Sequence, residues 1–356
     1  MRTHTLGLPR SGVLLSIALA APIAALAFMS QPVRATASFS VGDVFVGIGD
    51  GKVGHFSNTG TLLDTLDSTH AGSESAGMCF DQAGNLYAAF FEADTLSKFG
   101  PDGTLLVAGF GSGYGANPES CSFNSTNQLY VGQAGGTHKI LKFDASGNPL
   151  ASYTPTSVDL GTDWIDLAAD ECSMVYAGEG ATIRRFNVCT NAAGPDFATG
   201  LPAPCFAVRT RLNGEVMVAC ASGVRRLSST GMVLQTYLDS SLNPQPSKLF
   251  ALNLDPDGTT FWTADLNSGD VYRVNISTGA QVTHFKPAFT RSVAGLAIFG
   301  EQRVATPPSE PASPAAPVTA SSPPVLYLLV VAAGAAILFL ALFLRRRRRR
   351  VSTDST

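Results

Sequence analysis

A segment of about 43 residues recurs along the middle of this chain, and the recurrence limits the fold more than any other sequence feature. Each copy contains short apolar runs separated by turns that are rich in Asp, Asn and Gly. Five copies are visible, and an aromatic residue or Met stands at the same place in each, at Tyr87, Tyr130, Tyr176, Met217 and Trp262. These anchor residues are 41 to 46 residues apart. Such a fixed period is the signature of a repeat architecture.

Each repeat is predicted to form four short strands, because β-branched and aromatic runs alternate with turn clusters. Four strands in about 40–50 residues is the spacing of a propeller blade, and blades must stack in a closed ring to bury both faces. A sixth anchor, Phe45, lacks a preceding inner strand, and residues 292–299 supply one at the other end of the body. The sequence therefore predicts an all-β, six-bladed β-propeller whose closing blade is shared by 43–66 and 292–299. A β-sandwich would explain the alternation but not the fixed period.

Two repeats resemble NHL-type repeats and their relatives among the streptogramin-lyase and gluconolactonase-like six-bladed propellers. They are FDQAGNLYAAFFEADTLSKFGPDGTLL, which starts at residue 80, and LDPDGTTFWTADLNSGDVYRVNISTG, which starts at residue 254. The resemblance covers about residues 41–300 and lies in the blade skeleton. Because that skeleton serves enzymes and binding proteins alike, the resemblance implies the fold and leaves the activity open.

The resemblance also implies two kinds of chemistry. Gluconolactonase-like hydrolysis uses a divalent metal in the channel, and Asp265 in PheTrpThrAlaAsp matches one metal ligand of that family. The neighbouring stretch 249–255 lacks the expected Asn-Gly-Leu, and no residue matches the Glu ligand. Streptogramin lyases use a His and a Glu on the channel face, for which His138 and Glu179 are available. No GxSxG, HExxH or P-loop motif occurs.

Ligands of propellers usually bind on the face where two sets of loops emerge around the channel. These loops join the second strand of a blade to the third, and one blade to the next. On this face the sequence places Asp50, Phe91, Glu92, Asp94, His138, Asp163, Trp164, Glu179, Asp265 and Asp270. The ligand-face candidates among them are Glu92, His138, Trp164, Glu179 and Asp265. The set is acidic and would suit a divalent cation, but Asp residues also cap the turns of blade loops.

The six cysteines are expected to form disulfides, because the domain is predicted to be exported. Six cysteines can pair in 15 ways. Cys172 and Cys189 lie symmetrically about the turn at 178–181, and opposed hairpin residues come within bridging distance. Cys205 and Cys220 flank another turn with an offset of about one residue, as expected for an imperfectly opposed pair. Cys79 and Cys121 remain as the third pair. A metal site is the alternative, but the sequence has no CxxC and no His near any Cys.

The beginning of the chain predicts export. Arg2 and Arg10 precede an apolar stretch at 12–29, and Ala-Thr-Ala at 35–37 has the small-x-small pattern of a cleavage site. We therefore expect a signal peptide at 1–37, with an uncleaved signal anchor as the alternative.

The end of the chain predicts a membrane anchor. After the body at 38–304, a Pro/Ser/Ala-rich stalk at 305–324 leads to a charge-free run that begins at Val325 and ends at Leu344. This length suffices for one membrane-spanning helix. Six arginines then start a basic tail at 345–356, which favours the cytoplasmic side. The same order also resembles a bacterial sorting signal cut by a transpeptidase, although neither LPxTG nor a VPEP-like motif occurs.

The charge distribution argues against nucleic acid as a partner. The body has 15 Lys and Arg against 25 Asp and Glu, a formal charge of −10. We expect a monomeric, single-pass protein at the cell membrane, with its propeller outside and its C-terminus inside. Its expected function is binding, adhesion or scaffolding of an extracellular ligand, without a cofactor. A surface lactonase-like hydrolase or lyase with a channel metal is the alternative.

Overall fold

The computed structural model describes residues 37–156, 159–288 and 292–301. These residues form 24 strands and one short 3-10 turn, Asp239–Ser241, and they contain no α-helix. The first twelve strands are β1 (Val44–Gly49), β2 (Lys52–Phe56), β3 (Leu62–Asp67), β4 (Ser75–Phe80), β5 (Leu86–Phe90), β6 (Thr95–Phe99), β7 (Leu105–Phe110), β8 (Pro118–Phe123), β9 (Leu129–Gln133), β10 (Ile140–Phe143), β11 (Pro149–Tyr153) and β12 (Trp164–Leu167). The other twelve are β13 (Ser173–Ala177), β14 (Arg184–Asn187), β15 (Ala192–Ala193), β16 (Cys205–Thr210), β17 (Val216–Cys220), β18 (Gly223–Leu227), β19 (Val233–Leu238), β20 (Leu249–Leu254), β21 (Thr260–Asp265), β22 (Val271–Asn275), β23 (Gln281–Phe285) and β24 (Leu296–Ile298).

The strands form six antiparallel sheets of four strands each, which are the six blades of a β-propeller. Blades 2 to 6 each use four consecutive strands, β4–β7, β8–β11, β12–β15, β16–β19 and β20–β23. Blade 1 has the order β24-β1-β2-β3, so its innermost strand comes from the C-terminal end of the described chain. The predicted shared closing blade is therefore confirmed. It pairs Phe45 with Ala297 and Val46 with Leu296.

The six anchor residues occupy equivalent, buried positions, and each lies directly opposite a basic residue on the next strand. In blade 1 the ring of Phe45 stacks on His55, with 4.6 Å between the ring centroids. In blade 2 the ammonium of Lys98 lies 5.0 Å from the centroid of Tyr87. Large anchor side chains fill the space between blades. In blades 2 to 6 the basic side chain covers the anchor toward solvent, whereas His55 of blade 1 is itself buried. The six pairs are Phe45 with His55, Tyr87 with Lys98, Tyr130 with Lys142, Tyr176 with Arg184, Met217 with Arg226, and Trp262 with Arg273.

The inner strands of blades 1 to 3 approach one another closely because glycine occupies the contact points. A Cβ added at Gly295 would lie 2.0 Å from the carbonyl oxygen of Ala76, and one added at Gly77 would lie 2.4 Å from that of Glu119. Neither glycine needs a left-handed backbone, so the requirement is space alone. The second contact brings the backbone of Glu119 against Gly77 on the inner strand of blade 2.

Three disulfides cross-link the propeller, one between two blades and two within single blades. The described residues include no free cysteine. Cys79 and Cys121 join the inner strands of blades 2 and 3, as the sequence predicts. Cys172–Cys189 fastens blade 4, whose outermost strand has only two residues. Cys205 and Cys220 are bonded and pair in the ladder, and the register of their hairpin shifts by one residue between them and the turn, which confirms the predicted pair and its offset. A β-bulge between Cys205 and Val208 absorbs the extra residue.

Only Ala37 of the predicted signal peptide at 1–37 is among the described residues. The predicted stalk, membrane helix and basic tail lie outside them. Within the described ranges, no helix has the length and apolar character needed to cross a membrane.

Candidate functional site

All six inner strands begin on the same face of the ring, and we call this the mouth face. Here the loop between the second and third strands of each blade meets the segment that enters the inner strand. In blade 2 the backbone N–H of Glu74, just before β4, donates to the carboxylate of Glu92 at 2.7 Å, and Phe91 N–H donates to Glu74 O. The loops that the sequence analysis selected emerge on this mouth face.

Aromatic side chains fill the channel beneath this face. Trp164 of blade 4 and Phe250 of blade 6 lie 6.2 Å apart between ring centroids, although blade 5 separates their sheets. Phe206 of blade 5 lies 4.7 Å from Phe250. All three side chains are buried. We call these three residues the aromatic floor.

A buried ion pair closes the channel below the floor. Arg209 of blade 5 donates to Glu301, just after β24 of blade 1, at 3.1 Å. This contact also passes over a blade, and Glu301 accepts further bonds from Asn253 Nδ2 at 3.0 Å and Leu254 N–H at 2.7 Å. The guanidinium of Arg209 lies 5.5 Å from the ring of Trp164, so the ion pair and the floor are in contact. The channel is thus closed by the chain's own side chains.

Above the floor, four carboxyl groups and one ammonium group interact with one another, and we call them the mouth cluster. Its members are Glu74, Glu119, Asp163, Glu179 and Lys248. Four of the five lie at or just before the start of an inner strand, and Glu179 lies in the loop between β13 and β14. The side chains come from blades 2, 3, 4 and 6, so the cluster encircles the channel mouth.

Glu119 and Asp163 form the centre of the mouth cluster. Both are buried, and Asp163 is fully inaccessible. Burial, followed by the negative charge of Asp163 and a hydrogen bond to it, raises the pKa of Glu119 well above its ordinary value. Burial also raises the pKa of Asp163, from 3.8 to about 6. No N–H or hydroxyl group in the described part of the chain donates to either oxygen of Asp163. The Glu119 carboxyl can donate to it only when protonated, so the pair shares a proton.

The remaining members form a more accessible rim. Burial raises the pKa of Glu179, while the charge of Lys248 lowers it. The ammonium of Lys248 lies 4.6 Å from the centroid of Phe206, above the aromatic floor. Glu74 accepts a hydrogen bond from the hydroxyl of Ser292 of blade 1.

Glu179 and His138 occupy equivalent turns and have left-handed backbones, with φ of 62° and 52°. This conformation is unfavourable for residues other than Gly, Asn and Asp. The Glu179 side chain faces the mouth cluster, whereas the ring of His138 packs where a Cβ on Gly161 would sit. Among the described residues no hydrogen bond or ion pair joins His138 to Glu179.

Two other candidates, Glu92 and Trp164, make contacts that stabilise the fold, and only Glu92 is exposed. Glu92 accepts from the hydroxyl of Ser73 at 3.2 Å as well as from Glu74 N–H, and so fixes the entry to β4. Trp164 is buried in the aromatic floor, so it does not present its ring to solvent as the sequence suggested. A residue at the start of an inner strand points inward here because the ring closes over it.

Asp265 is buried at the end of β21 and caps two turns. Its Oδ1 accepts from the backbone N–H groups of Asn267 at 2.7 Å and Ser268 at 3.0 Å. Its Oδ2 accepts from the N–H of Ser247 and, at 3.2 Å, from that of Lys248. Both carboxylate oxygens are therefore directed at N–H donors of the protein.

The described residues do not fit the channel metal that the family resemblance implies. The oxygens of Asp265 are occupied by N–H donors, and no group of three or more His, Cys, Asp or Glu residues within the described ranges is arranged to hold a metal. No step of a mechanism is therefore assigned to a metal here.

We expect Asp265→Ala to lower the free energy of unfolding by about 2–4 kcal/mol, because buried N–H groups lose their acceptor. Asp265→Asn keeps one acceptor oxygen and should cost less. Chelator should leave the melting temperature of the unmodified protein unchanged, as measured by differential scanning calorimetry. A fall of several degrees in chelator that Asp265→Ala abolishes would instead identify a metal ligand, since bound metal stabilises by mass action.

The Glu119–Asp163 pair should make the protein less stable as pH rises. Because both pKa values are raised, the folded chain binds protons more tightly than the unfolded chain. The stability from this pair is complete below the unfolded pKa, near 4, and is lost as pH rises through about 6. In urea titrations between about pH 4.5 and 7, Glu119→Gln should reduce the dependence of the free energy of unfolding on pH relative to the unmodified chain. Asp102→Asn, on an exposed turn, should retain it; equal slopes for Glu119→Gln and the unmodified chain would contradict the shared proton.

Sequence reasoning did not select Glu74, Glu119 or Lys248. A usable signal was present, because aligning the repeats on the start of the inner strand puts these residues and Asp163 within two positions of one another. Their burial could not be read from the alignment, since it depends on the neighbouring blades.

No protein-family profile matches this sequence, and no curated protein shows significant sequence similarity to it. Solved structures do share its fold. A protein of unknown function from Bacteroides caccae aligns with a TM-score of 0.59 at 13% identity, over 72% of this chain and 98% of the other. A chain of the nidogen/laminin complex aligns with a TM-score of 0.56 at 11% identity, over 71% and 97%. The WD40 β-propeller domain of Doa1 aligns with a TM-score of 0.51 at 15% identity, over 71% and 81%. At these identities the likeness is one of fold, and the chain is a six-bladed β-propeller.

Proposed function

We propose that this protein is an exported, membrane-tethered β-propeller that binds a partner protein through its mouth face. In this proposal the mouth cluster receives a basic side chain of the partner. The observation that carries the proposal is the convergence of four carboxyl groups from blades 2, 3 and 4 around one ammonium group at the channel mouth.

Export is supported by the three disulfides, which form and persist in oxidising compartments. The apolar stretches at 12–29 and 325–344 supply the expected signal peptide and anchor, and the stalk would hold the propeller away from the bilayer. The NHL-like and lactonase-like resemblance remains part of the proposal at the level of the blade skeleton.

Protease added to intact cells should release a body of about residues 38–310, because the stalk is Pro-rich and exposed in this proposal. The fragment that contains 325–344 should stay with the membrane fraction, as detected with an antibody to a C-terminal tag. Cleavage of that tag from outside while the body stays attached would show the opposite orientation.

The closed channel is better suited to a binding role than to the passage of a substrate. The aromatic floor and the Arg209–Glu301 pair fill the axis, so a ligand would meet the mouth face from outside. Four carboxyl groups converge there around a single ammonium group. Such a concentration of negative potential attracts cationic groups and steers their approach. A chain of similar fold was crystallised in the nidogen/laminin complex, which is a precedent for this architecture within a protein–protein complex.

The test measures binding of a fluorescent decalysine peptide to the full-length chain in lipid nanodiscs, with decaglutamate as the charge-reversed probe. Glu74→Gln combined with Glu179→Gln removes two rim charges without touching the buried pair, and should weaken decalysine binding at least tenfold. Lys248→Gln removes the internal competing cation and should strengthen it. Binding should weaken with added salt.

The matched control neutralises two acidic residues on the opposite face, Asp102→Asn with Asp144→Asn, in turns that Asn can also cap. This control should leave decalysine affinity unchanged. If the control and the rim variant weaken binding equally, the effect is one of total charge and the mouth face is not the recognition site. Equal binding of decalysine and decaglutamate would also refute the proposal.

Acid–base catalysis is the second candidate function, and the shared proton of Glu119 and Asp163 favours it. Two carboxyls whose environments separate their protonation states can supply a general acid and a general base. Hydrolysis of a panel of aliphatic lactones by the full-length chain, abolished by Glu119→Gln, would support this candidate. Activity that survives Glu119→Gln would exclude the pair as its source.

A further inference from the structure

A cavity of about 290 Å³ opens between blades 4 and 5, on the face opposite the mouth. It is bordered by the turn that follows β12, by strands β13 and β14, and by the end of β16. The polar residues that border it include Asp170, Arg185, Thr210, Arg211 and Ser229. We call this cavity the blade 4–5 cleft. None of its polar residues belongs to the mouth cluster.

Two guanidinium groups border the cleft and have hydrogen-bonding capacity to spare. Arg185 makes one hydrogen bond among the described residues, from Nη2 to the carbonyl oxygen of Ser229 at 2.9 Å. Its guanidinium lies 4.4 Å from the centroid of Phe197, which holds the planar group against one wall. Arg211 donates to Glu215 and, at 3.2 Å, to the carbonyl oxygen of Gly258. Because a guanidinium has five N–H donors, both arginines retain free donors.

Thr210 adds a hydroxyl that is buried and has no partner in the described part of the chain. The residue is 8% exposed, and its backbone N–H donates to Asp166 Oδ2 at 2.7 Å, which fixes its position. A buried hydroxyl without a partner is unfavourable by about 1–3 kcal/mol, and it is rare in native proteins. Thr210 borders the cleft, but its hydroxyl has almost no accessible surface, so it can bond a ligand only after a side-chain rotation exposes it to the cleft.

The acceptors around the cleft are already engaged. Asp170 Oδ1 accepts from the N–H groups of Cys172 at 3.0 Å and Ser173 at 2.7 Å, and Oδ2 accepts from the Ser173 hydroxyl at 2.7 Å. These bonds lower the pKa of Asp170, although its burial acts in the opposite direction. The charged groups of the cleft that keep free hydrogen-bonding capacity are thus the guanidinium donors of Arg185 and Arg211, and a ligand that matches them must carry acceptors.

The walls and the charge balance restrict the ligand further. Ala168, Ala169, Val175, Phe197 and Val216 give the cleft a largely apolar lining. The positive charges of the two arginines are already balanced in part by the carboxylates of Asp170 and Glu215. A ligand with one negative charge therefore matches the cleft better than a ligand with two. The volume lies at the small end of ligand pockets, which are about 300–1,000 Å³.

We infer that the blade 4–5 cleft binds a small organic monocarboxylate with an apolar body. Its carboxylate accepts from the free N–H groups of Arg185 and Arg211 and from the Thr210 hydroxyl, while its apolar part lies against Phe197 and the aliphatic walls. A planar guanidinium is well suited to a carboxylate because it can donate two parallel hydrogen bonds.

The test uses the full-length chain in lipid nanodiscs and benzoate as the probe, with isothermal titration calorimetry as the readout. Benzamide is the neutral isostere, benzylamine the cationic analogue, and inorganic phosphate the polar anion. We expect millimolar or tighter binding of benzoate and at least tenfold weaker binding of the other three. Arg185→Gln and Thr210→Val should each weaken benzoate binding at least fivefold.

Control variants separate this site from the mouth and from misfolding. Thr236→Val, on the outer strand of blade 5, is a matched substitution outside the cleft and should bind benzoate like the unmodified chain. Glu74→Gln with Glu179→Gln should also leave benzoate binding unchanged, so failure of the mouth proposal would not affect this one. Melting temperature identifies any variant that fails to fold; Arg185→Lys then replaces Arg185→Gln and should weaken binding because it loses the planar fork.

Three outcomes would overturn the inference. Equal affinity for benzoate and benzamide would mean that the cleft recognises only apolar shape. Tighter binding of phosphate than of benzoate would mean that the apolar walls do not select the ligand. Absence of benzoate binding at 20 mM, about the weakest affinity of interest for so small a ligand, would mean that the free donors do not form a site.

Discussion

A chain that consists of residues 38–288 should aggregate, whereas one that consists of residues 38–305 should be a soluble monomer. The shorter chain lacks β24, which pairs with β1 through Val44, Phe45 and Val46. Its removal exposes the edge of β1 and opens the ring, and unpaired edges promote association. Size-exclusion chromatography and far-ultraviolet circular dichroism distinguish the two outcomes. Identical behaviour of the two chains would contradict closure by a shared blade.

A single substitution tests the same closure without removing a strand. Gly295→Ala places a methyl group against the backbone carbonyl of Ala76, where only 2.0 Å is available. Backbone cannot yield as a flexible side chain can, so we expect a loss of about 2–3 kcal/mol. Gly109→Ala is the matched control, because its nearest neighbour, the Thr95 hydroxyl, is 3.6 Å away. Chemical denaturation of both variants measures the difference, and equal stability would show that blades 1 and 2 can separate at this point without cost.

Arg209→Met should lower the free energy of unfolding by about 3–5 kcal/mol, because it leaves Glu301 buried without its cationic partner. The carboxylate would keep bonds from Asn253 and Leu254 but would lose the charge that balances it. Arg184→Met, which breaks the more exposed pair with Asp196 at 3.4 Å, should cost at most about 1 kcal/mol. Urea unfolding of both variants supplies the comparison.

The double variant Arg209→Met with Glu301→Gln separates the lost ion pair from lost packing. Without the buried charge it should recover a large part of the stability lost in Arg209→Met. If the double variant is less stable than Arg209→Met by the full cost of a second independent substitution, the two groups do not act as a pair.

Much of the fold could be predicted because each blade is a local unit. The anchors Tyr87 and Trp262 recur with the turns around them, and antiparallel hairpins place each of them opposite a basic residue within the next 11 positions or so. The same local geometry pairs Cys172 with Cys189, whose positions about one turn are visible in the sequence. Closure of the ring followed from an unpaired strand at each end of the repeats.

Less of the candidate site could be predicted, because its residues meet between blades. Trp164 was selected as a ligand-face residue from its place near a loop, but the closed ring turns its side chain into the aromatic floor. Asp265 was selected by family resemblance, and its oxygens face the N–H groups of two turns. Glu119 was not selected, since a lone Glu at the start of a strand is ordinary until Asp163 of the next blade lies against it.

The amino-acid sequence by itself determined the number of blades, their strand order and the closing blade, and it indicated the disulfide partners that the structure then established. These features depend on periodicity and on contacts within a hairpin or between successive repeats. Only the tertiary structure decided what occupies the axis: the aromatic floor, the Arg209–Glu301 pair and the shared proton of Glu119 and Asp163. The physical reason is that these groups come from different blades, and their separation is fixed by the radius of the closed ring rather than by any local pattern. Burial in that ring then gives ordinary carboxyl groups their unusual protonation.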